Sequence, residues 1–231
     1  MTKLVVHVLH ASIAIPDDMW PEFLIDPARV NQEARVSADL YTDLMAREAW
    51  PNAEIIEAPV SRIIVDVERY EDDSLEEMAR VGRGVIYTHD HMQERTRKDP
   101  SFETRVDLLA RYYTPHWSKL RAAAIGATLI DLHTYPAEVW PIESDASGRR
   151  PEIDLGFTDG LTPRPWILAL TQHFLDAGYE VGHNTPYASV IDAGARAAVM
   201  IEIRRDIVGV PGDCDKWQRL IRVLNALPLN G

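Results

Sequence analysis

The sequence predicts an α/β fold: one domain over residues 1–231, built as a three-layer α/β/α sandwich around a largely parallel sheet. Short β-branched runs alternate with helical patterns of about 10 to 25 residues, an order typical of such sandwiches. The length of 231 residues favours one large core over two small ones. Apolar residues make up 46% and charged residues 26%, as in ordinary globular proteins. In such sheets, ligands bind beyond the carboxyl ends of the strands.

The first half of the chain is predicted to contain one long helix among short strands. β-branched runs bounded by turn residues indicate the strands, and apolar residues at helical spacing indicate the helix, which stops before Pro51. The elements expected are a strand at 3–9, a helix at 28–50, and strands at 54–58 and 62–67. His10 follows the first strand, so we expect it at the carboxyl edge of the sheet.

The second half alternates helices and strands around one long loop. The elements expected are helices at 101–125, 165–177 and 216–227, strands at 127–132, 179–183 and 198–203, and a loop at 136–151. The loop is long enough to form a lid or a wall of an active site. His133 follows one of these strands and Glu202 lies near the end of another.

Charge and cysteine content exclude several classes of function. With 24 Lys and Arg against 36 Asp and Glu, the net charge of −12 repels nucleic acids and anionic membranes. No stretch approaches the roughly 18 apolar residues of a membrane helix, and the apolar run at 4–9 is too short for a secretory signal. The single cysteine, Cys214, cannot form an internal disulfide, which fits a reducing cytoplasm. An anionic substrate therefore requires a local concentration of arginines.

Three residues at predicted strand ends could form a metal-dependent hydrolytic site. A hydrolytic zinc ion takes about three protein ligands from His and Asp or Glu and leaves one position for water. His10 and His133 can supply two nitrogen ligands, and Glu202 lies at the same edge of the sheet. The alternative is that each histidine only forms hydrogen bonds at the end of its strand.

Eight short motifs, in order from near residue 4 to about residue 206, resemble those of the N-formylglutamate amidohydrolase family. They are His10-Ala11-Ser12 with Ile15-Pro16, Asp39 to Asp43, Val60-Ser61-Arg62, Val65 to Tyr70, Gly82 to Tyr87, Asp131 to Pro136, Asn184 to Tyr187, and Ile201 to Arg205. That family belongs to a wider group that resembles zinc carboxypeptidases and aspartoacylases. The resemblance implies a carboxypeptidase-like fold, with a mixed central sheet and helices on both of its faces.

The resemblance implies that the chain binds Zn²⁺ through His10, Asp39 and His133. His10 and His133 match the two metal histidines of the wider group. The usual carboxylate ligand three residues after the first histidine is missing, because that position is Ile13. The family instead has an aspartate in the following helix, which Asp39 matches, and Asp43 or Glu33 is the alternative. Asp43 could also orient a ligand.

Glu202 resembles the general base that carboxypeptidase-like enzymes carry on a late strand. Its task would be to take a proton from water and pass it to the departing amine. Met200, Ile201 and Ile203 flank this carboxylate, so burying it requires a partner. The alternative interpretation of Glu202 is therefore a salt bridge to a nearby arginine such as Arg204 or Arg205.

The substrate-binding residues implied by the resemblance are Arg62, Arg69 and Asn184. The segment 65–69 resembles the Asp-Leu-Asn-Arg sequence of the aspartoacylases, although Glu68 stands where those relatives have Asn. Arg69 would hold the substrate carboxylate in its planar fork. Arg62 would polarise the scissile carbonyl or hold a second carboxylate. The alternative is that both arginines form ion pairs with Asp66 or Glu68.

Two other histidines, His116 and His7, are not assigned to the metal site or to catalysis. His116 lies in Pro115-His116-Trp117, where the family has Pro-His-His, so any function that needs both histidines is absent. His7 is expected to be structural.

The function implied by the resemblance is zinc-dependent hydrolysis of an N-acyl acidic amino acid. The default substrate is N-formyl-L-glutamate, a small anion derived from an amino acid, which would yield formate and L-glutamate. Glu68, Thr134 and the loop at 136–151 leave open another N-acyl amino acid or a short peptide. A metal-free protein that binds carboxylates through Arg62 and Arg69 is the alternative from another class. The sequence leaves the oligomeric state open.

Overall fold

The computed structural model, which describes residues 3–143, 150–213 and 215–229, contains a six-stranded mixed sheet. Its strands are β1 (Leu4–Val8), β2 (Glu54–Glu57), β3 (Thr128–Tyr135), β4 (Ile153–Gly156), β5 (Val181–His183) and β6 (Ala197–Arg204). Their spatial order is β2-β1-β3-β6-β4-β5. Neighbouring strands are parallel except for the antiparallel pair β4 and β6. The predicted mixed, largely parallel sheet is therefore confirmed.

The helices pack on both faces of this sheet. They are α1 (Pro27–Ser37), α2 (Thr42–Ala49), α3 (Phe102–Leu108), α4 (Thr114–Ala124), α5 (Arg164–Asp176), α6 (Arg205–Val208) and α7 (Lys216–Asn225), with 3₁₀ turns at Asp17–Glu22 and Glu77–Val81. A π-helical turn, Leu109–Tyr113, joins α3 to α4. One face of the sheet packs against α2, α5 and α7, and the other packs against α4. The predicted three-layer α/β/α arrangement is confirmed.

Alternating residues of the strands face the two helical layers. Val6, Ile130 and Ile201 belong to the core beneath α2, α5 and α7, whereas Val5, Leu129 and Met200 belong to the core beneath α4. Side chains two residues apart share a face of the sheet. The odd-numbered positions of β1 and β3 and the even-numbered positions of β6 therefore point towards α4, and this face carries His7, Asp131, His133 and Glu202.

The helix predicted at 28–50 is interrupted, and the interruption builds the site. The main-chain N–H of Asp39 donates to the carbonyl of His10 at 2.9 Å instead of continuing helix α1. Tyr41 then adopts a left-handed conformation with φ of 71° before helix α2 begins at Thr42. The apolar spacing runs through this turn, so the sequence alone indicated a single helix.

The strand predicted at 62–67 is wrong, and strand β4 was missed. Residues 62–67 form turns, in which the N–H of Ile64 donates to the carbonyl of Ser61 at 2.9 Å. The apolar side chains of this segment are buried in the core, so their hydrophobicity reflected burial rather than pairing in a sheet. Strand β4 has only four residues, too few for a clear alternating pattern.

The remaining predictions about local structure concern the long loop and Cys214. The described residues of the loop, 136–143 and 150–151, contain no helix or strand. Its other residues and Cys214 lie outside the described part of the chain. Among the described helices, none has both the length and the apolar character needed to cross a membrane.

Candidate active site and metal centre

Three buried side chains meet at the carboxyl end of the parallel strands. His10 follows β1, His133 lies near the end of β3, and the main-chain hydrogen bond from Asp39 to His10 brings the aspartate beside them. All three residues are at most 2% exposed. The fold rule for parallel sheets therefore brings together residues that are far apart in sequence.

The geometry of His10, Asp39 and His133 suits a metal ion. Oδ2 of Asp39 lies 3.4 Å from Nδ1 of His10 and 3.3 Å from Nδ1 of His133. One ligand atom from each residue fits within a 4.8 Å span. In the described structure, Nδ1 of His10 and Oδ2 of Asp39 are buried without a hydrogen-bond partner. Two imidazole nitrogens and one carboxylate oxygen are ligands that Zn²⁺ favours, so these residues fit the ion.

Other side chains contact the atoms of the three candidate ligands that point away from the candidate metal position. Nε2 of His10 lies 2.8 Å from Oδ1 of Asp66, and Nε2 of His133 lies 3.4 Å from Oδ1 of Asp131. A carboxylate behind a ligating imidazole orients its ring and increases its basicity. The second oxygen of Asp39 accepts a hydrogen bond from Nη2 of Arg205 at 3.2 Å.

The two histidines also favour the ionised form of Asp39. Burial alone would raise the pKa of this carboxyl, but the close contacts and charge interactions with His10 and His133 outweigh burial and hold the pKa well below its usual range. A deprotonated carboxylate is the form that binds a metal.

A second possible ligand set, His10 with Asp66 and Glu68, is less suited to a cation. Nη2 of Arg62 lies 2.8 Å from Oδ2 of Asp66, and Nε of Arg69 lies 3.7 Å from the same oxygen. Two guanidinium groups beside this carboxylate repel a metal ion. The set formed by His10, Asp39 and His133 is therefore the better candidate.

Glu202 lies beside the candidate metal ligands on β6, directly opposite His133 of β3. Its Oε1 is 3.9 Å from Nδ1 of His133, and its Oε2 is buried without a hydrogen-bond partner in the described structure. Burial raises the pKa of Glu202 to about 8; the charges of Asp39 and Glu68 contribute in the same direction, and His133 opposes them.

The two arginines that follow Glu202 in sequence have other partners. Arg204 binds Asp206 at 2.7 Å, and Arg205 binds Asp39 at 3.2 Å. The alternative interpretation of Glu202, a salt bridge to one of these arginines, does not occur among the described residues.

A cavity of about 270 Å³ opens above Asp39, His133 and Glu202. Its wall combines four arginines, three further acidic residues and several aromatic rings. These are Arg62, Arg69, Arg83 and Arg205, then Glu68, Glu77 and Glu143, and then Tyr87, Tyr135, Trp140 and Tyr187. The cavity can therefore hold a small molecule that carries charged groups.

The two arginines predicted to bind substrate differ in how closely they pair with carboxylates of the protein. Arg62 donates to Oδ2 of Asp66 through Nε at 3.0 Å and Nη2 at 2.8 Å, which is the ion pair that the sequence left open. For Arg69, the nearest carboxylate oxygens, on Asp66 and Glu76, lie 3.7 and 3.6 Å away. Its Nε is buried without a hydrogen-bond partner among the described residues. Arg69 is therefore the freer of the two to bind a ligand.

Comparison with known proteins identifies the family. The model of the N-formylglutamate amidohydrolase family matches residues 2–208. The chain belongs to this family. Membership makes it an amidohydrolase and confirms the resemblance seen in its motifs.

Solved structures similar to this N-formylglutamate amidohydrolase family member share its fold. The N-formylglutamate amidohydrolase from Ralstonia eutropha JMP134 has a TM-score of 0.79 and 20% sequence identity, and the match covers 98% of this chain and 91% of that one. The gene product Atu2144 from Agrobacterium tumefaciens has a TM-score of 0.71 and 16% identity, over 96% and 86% of the two chains. No curated protein has a significant sequence match.

Asn184, predicted to contact substrate, begins the loop that follows β5. Its Oδ1 accepts hydrogen bonds from the main-chain N–H groups of Phe157 at 2.9 Å and Ser189 at 3.0 Å. Pro186 and Tyr187 of the same loop line the cavity, whereas Asn184 is not among its described lining residues. Asn184 therefore supports the cavity wall through these two hydrogen bonds, and its contact with substrate stays a prediction.

The other carboxylates considered as a third metal ligand lie elsewhere in the amidohydrolase. Glu33 accepts hydrogen bonds from Ser37 at 2.7 Å and Arg83 at 3.0 Å, and it lies 2.6 Å from Nδ1 of His91. Asp43 is half-buried in the first turn of α2. Neither belongs to a candidate ligand set among the described residues.

Sequence reasoning missed three residues that surround the amidohydrolase site. Asp66, Asp131 and Arg205 support the candidate ligands, yet they were assigned no role in holding them. Asp131 stands two residues before His133 on β3, so the two-residue period of a strand could have placed both on one face. For Asp66 and Arg205, the supporting contacts span 56 and 166 residues.

Proposed function

We propose that this amidohydrolase is zinc-dependent and removes a small acyl group from an N-acyl acidic amino acid. N-formyl-L-glutamate is the default substrate, and formate and L-glutamate are its products. One observation carries the proposal: two imidazole nitrogens and a carboxylate oxygen converge, buried, beside a cavity whose lining includes Asp39, His133 and Glu202. This combination is typical of hydrolytic metal sites.

His10, Asp39 and His133 would hold the zinc ion. When bound, zinc supplies Lewis acidity, which polarises an amide carbonyl and lowers the pKa of water towards about 7. Asp66 and Asp131 keep the two imidazole rings oriented through their outer nitrogens.

Glu202 would move the proton that hydrolysis requires. Its carboxylate accepts a proton from the attacking water and delivers it to the nitrogen as the carbon–nitrogen bond breaks. Support comes from its position opposite His133, from its place in the lining of the cavity, and from its Oε2, which has no hydrogen-bond partner among the described residues.

The two arginines would divide substrate binding and catalysis between them. Arg69 has room to bind a substrate carboxylate, because its own carboxylate neighbours are 3.6 and 3.7 Å away. Arg62 is fixed by Asp66 at the cavity wall. A charge held in place can stabilise the negative charge that develops on the carbonyl oxygen without having to reorganise.

A second candidate substrate class is an N-acyl amino acid without a side-chain carboxylate, or a short peptide. Glu68 lies 3.3 Å from Nη2 of Arg62, and Glu77 and Glu143 also line the cavity. These carboxylates compete with a second substrate carboxylate for the arginines. A panel with N-formyl-L-glutamate, a neutral N-formyl amino acid and an N-acyl dipeptide distinguishes the classes. A higher kcat/KM for either of the latter two would favour the second candidate.

Metal analysis of protein purified without a His tag tests the zinc proposal. We expect about one zinc per chain, because the residues form one three-ligand site. His133→Ala should lose both the zinc and the hydrolysis of N-formyl-L-glutamate. A His133→Ala variant with its full zinc content would move the metal site elsewhere. A metal-free wild type that binds N-formyl-L-glutamate without hydrolysing it would favour the carboxylate-binding alternative.

A further inference from the structure

A row of buried polar side chains runs from helix α4 to the back of His133. Nε2 of His116 on α4 lies 2.7 Å from Nε2 of His7 on β1. Nδ1 of His7 lies 2.8 Å from Oδ1 of Asp131 on β3. The same oxygen of Asp131 lies 3.4 Å from Nε2 of His133. All four residues are at most 3% exposed.

The layout of the sheet makes this row continuous. His7 and Asp131 are direct partners in the β1–β3 register, so their side chains emerge side by side on the α4 face. Asp131 and His133 are two residues apart on one strand and share that face. Helix α4 crosses the same face and contributes His116 from its buried side.

The position of helix α4 is itself tied to the candidate site. The hydroxyl of Tyr113 donates to the main-chain carbonyl of Arg69 at 3.0 Å, and Nε1 of Trp117 donates to that of Val67 at 2.9 Å. Tyr113 ends the π-helical turn that precedes α4. Such turns occur frequently at functional sites. The position of His116 is therefore fixed from both sides, by the 67–69 segment and by His7.

Hydrogen bonds join His116 to His7 and His7 to Asp131. The last contact, from Asp131 to Nε2 of His133, is an ion-pair approach at 3.4 Å, and no other described residue offers this buried nitrogen a hydrogen bond. A carboxylate oxygen only accepts hydrogen bonds, so Nδ1 of His7 carries the proton in its contact with Asp131. Burial, together with the neighbouring charge of His7, lowers the pKa of His116 to about 3, so this ring is neutral near pH 7. A single proton then lies between the two Nε2 atoms. An apolar layer could fill the same space without any of these hydrogen bonds.

We propose that His7 and His116 are positioning residues for the metal site and that they act on His133 through Asp131. Without His7, the Asp131 carboxylate loses the partner that fixes its rotation. Without His116, the His7 ring loses the partner that fixes its orientation. Asp131 in turn holds the His133 ring with Nδ1 facing Asp39 and His10. The inference rests on the zinc site proposed above.

Zinc affinity in His7 variants tests the row. His7→Leu keeps the volume and removes both hydrogen bonds, whereas His7→Asn keeps a donor near the position of Nδ1. Losing a direct partner of a metal ligand usually costs about 10-fold to 100-fold in affinity, and His7 acts one contact further out, so we expect His7→Leu to weaken zinc binding by about 10-fold. His7→Asn should recover most of this loss. Zinc affinity is measured by competition with a chelator, and the visible spectrum of the Co²⁺-substituted protein reports the ligand geometry.

A matched control separates this effect from general destabilisation. His173 is half-buried, and its Nε2 lies 2.9 Å from the main-chain carbonyl of Val223, away from the row. His173→Leu should leave zinc affinity and the Co²⁺ spectrum unchanged even if it lowers the melting temperature. If folded His7→Leu binds zinc like the wild type with an unchanged spectrum, the row has no positioning role.

A second pair keeps the test decisive if His7→Leu does not fold. His116→Gln retains a polar group near Nε2 and His116→Leu does not, so the glutamine variant should bind zinc more tightly. Equal affinities in this pair would overturn the inference. A wild type that binds no zinc would instead remove the proposed function itself, which distinguishes the two failures.

Discussion

A single carboxylate, that of Glu202, supplies the base in the proposed reaction. Glu202→Gln keeps the size of the side chain but removes its ability to accept a proton. We expect the turnover number to fall about 10²-fold to 10⁴-fold, the usual range for a positioned acid or base. Zinc content and melting temperature should change little. Steady-state release of formate, combined with metal analysis, checks this, and near-normal turnover would reduce Glu202 to a structural residue.

Arg69 gives a second prediction at the residue scale, concerning substrate selectivity. Arg69→Lys replaces a planar fork by a point charge, so it should not restore bidentate binding of a carboxylate. The expected loss in kcat/KM is about 2–5 kcal/mol, as when one member of a buried charged pair is removed. Kinetics with N-formyl-L-glutamate and with a neutral N-formyl amino acid measure the effect. A greater loss of kcat/KM for N-formyl-L-glutamate than for the other substrate would show that Arg69 binds the acidic side chain.

Arg62→Lys is the matched comparison for Arg69→Lys. Arg62 is held by two hydrogen bonds to Asp66, so its variant should act mainly on turnover rather than on KM. Equal losses on both substrates from both variants would remove the case for recognition of an acidic side chain by this pair. Normal kinetics in both variants would exclude the two arginines from substrate binding.

The sequence could predict residues that belong to local patterns but not those defined by distant contacts. His10, His133 and Glu202 lie at or near the ends of predicted strands, and the family motifs added Asp39. The hydrogen bond between His7 and His116 joins residues 109 positions apart, and nothing near either residue signals the other. His7 was therefore interpreted only as structural.

At the scale of elements, long apolar runs were predictable and short irregular segments were not. Strands β3 and β6 are fully buried over most of their eight residues and were found within a few residues of their ends. The turn between α1 and α2 and the segment 62–67 were not found. In both places, hydrogen bonds to distant residues, such as that from Asp66 N–H to the carbonyl of Val85, override the local pattern.

The 3₁₀ turn Glu77–Val81 contributes Glu77 to the cavity wall. It ends at Gly82, which cannot be replaced by another residue without backbone strain. Gly82 has a φ of 73°, and a Cβ there would lie 2.0 Å from Nδ1 of His89. Gly82→Ala therefore combines backbone strain with a steric clash. Gly160 has a similar φ of 85° but open space around its Cβ position.

The pair Gly82→Ala and Gly160→Ala isolates the steric contribution. A left-handed conformation costs a non-glycine residue about 1–2 kcal/mol, so we expect Gly160→Ala to lower the free energy of unfolding by about that amount. Gly82→Ala should lower it further and should also raise KM, because the turn lines the cavity. Urea denaturation and substrate kinetics measure both effects. Equal destabilisation by the two substitutions would mean that His89 moves aside without cost.

The electrostatic field of the whole molecule repels an anionic substrate. The net charge is −12, and the four arginines of the cavity wall face Asp39, Glu68, Glu77, Glu143 and Glu202. Attraction by Arg69 acts only at short range, whereas repulsion by the whole surface acts over the Debye length. Composition alone indicated that the net charge repels an anionic substrate that local arginines must attract. Only the folded chain shows that the cavity wall carries both positive and negative side chains.

Ionic strength therefore separates the two contributions. The Debye length falls from about 30 Å at 0.01 M salt to about 8 Å at 0.15 M, which screens the surface charge more than a contact inside the cavity. We expect kcat/KM for N-formyl-L-glutamate to rise over this range, by less than about tenfold, because the approach of the substrate becomes less unfavourable. An N-formyl amino acid with an uncharged side chain still carries its α-carboxylate but has one negative charge fewer. Its kcat/KM should therefore rise less with salt. Sodium chloride and potassium chloride should give the same result if screening is the cause. A fall in kcat/KM with salt for the dicarboxylate would mean that the arginines dominate the field outside the cavity as well as within it.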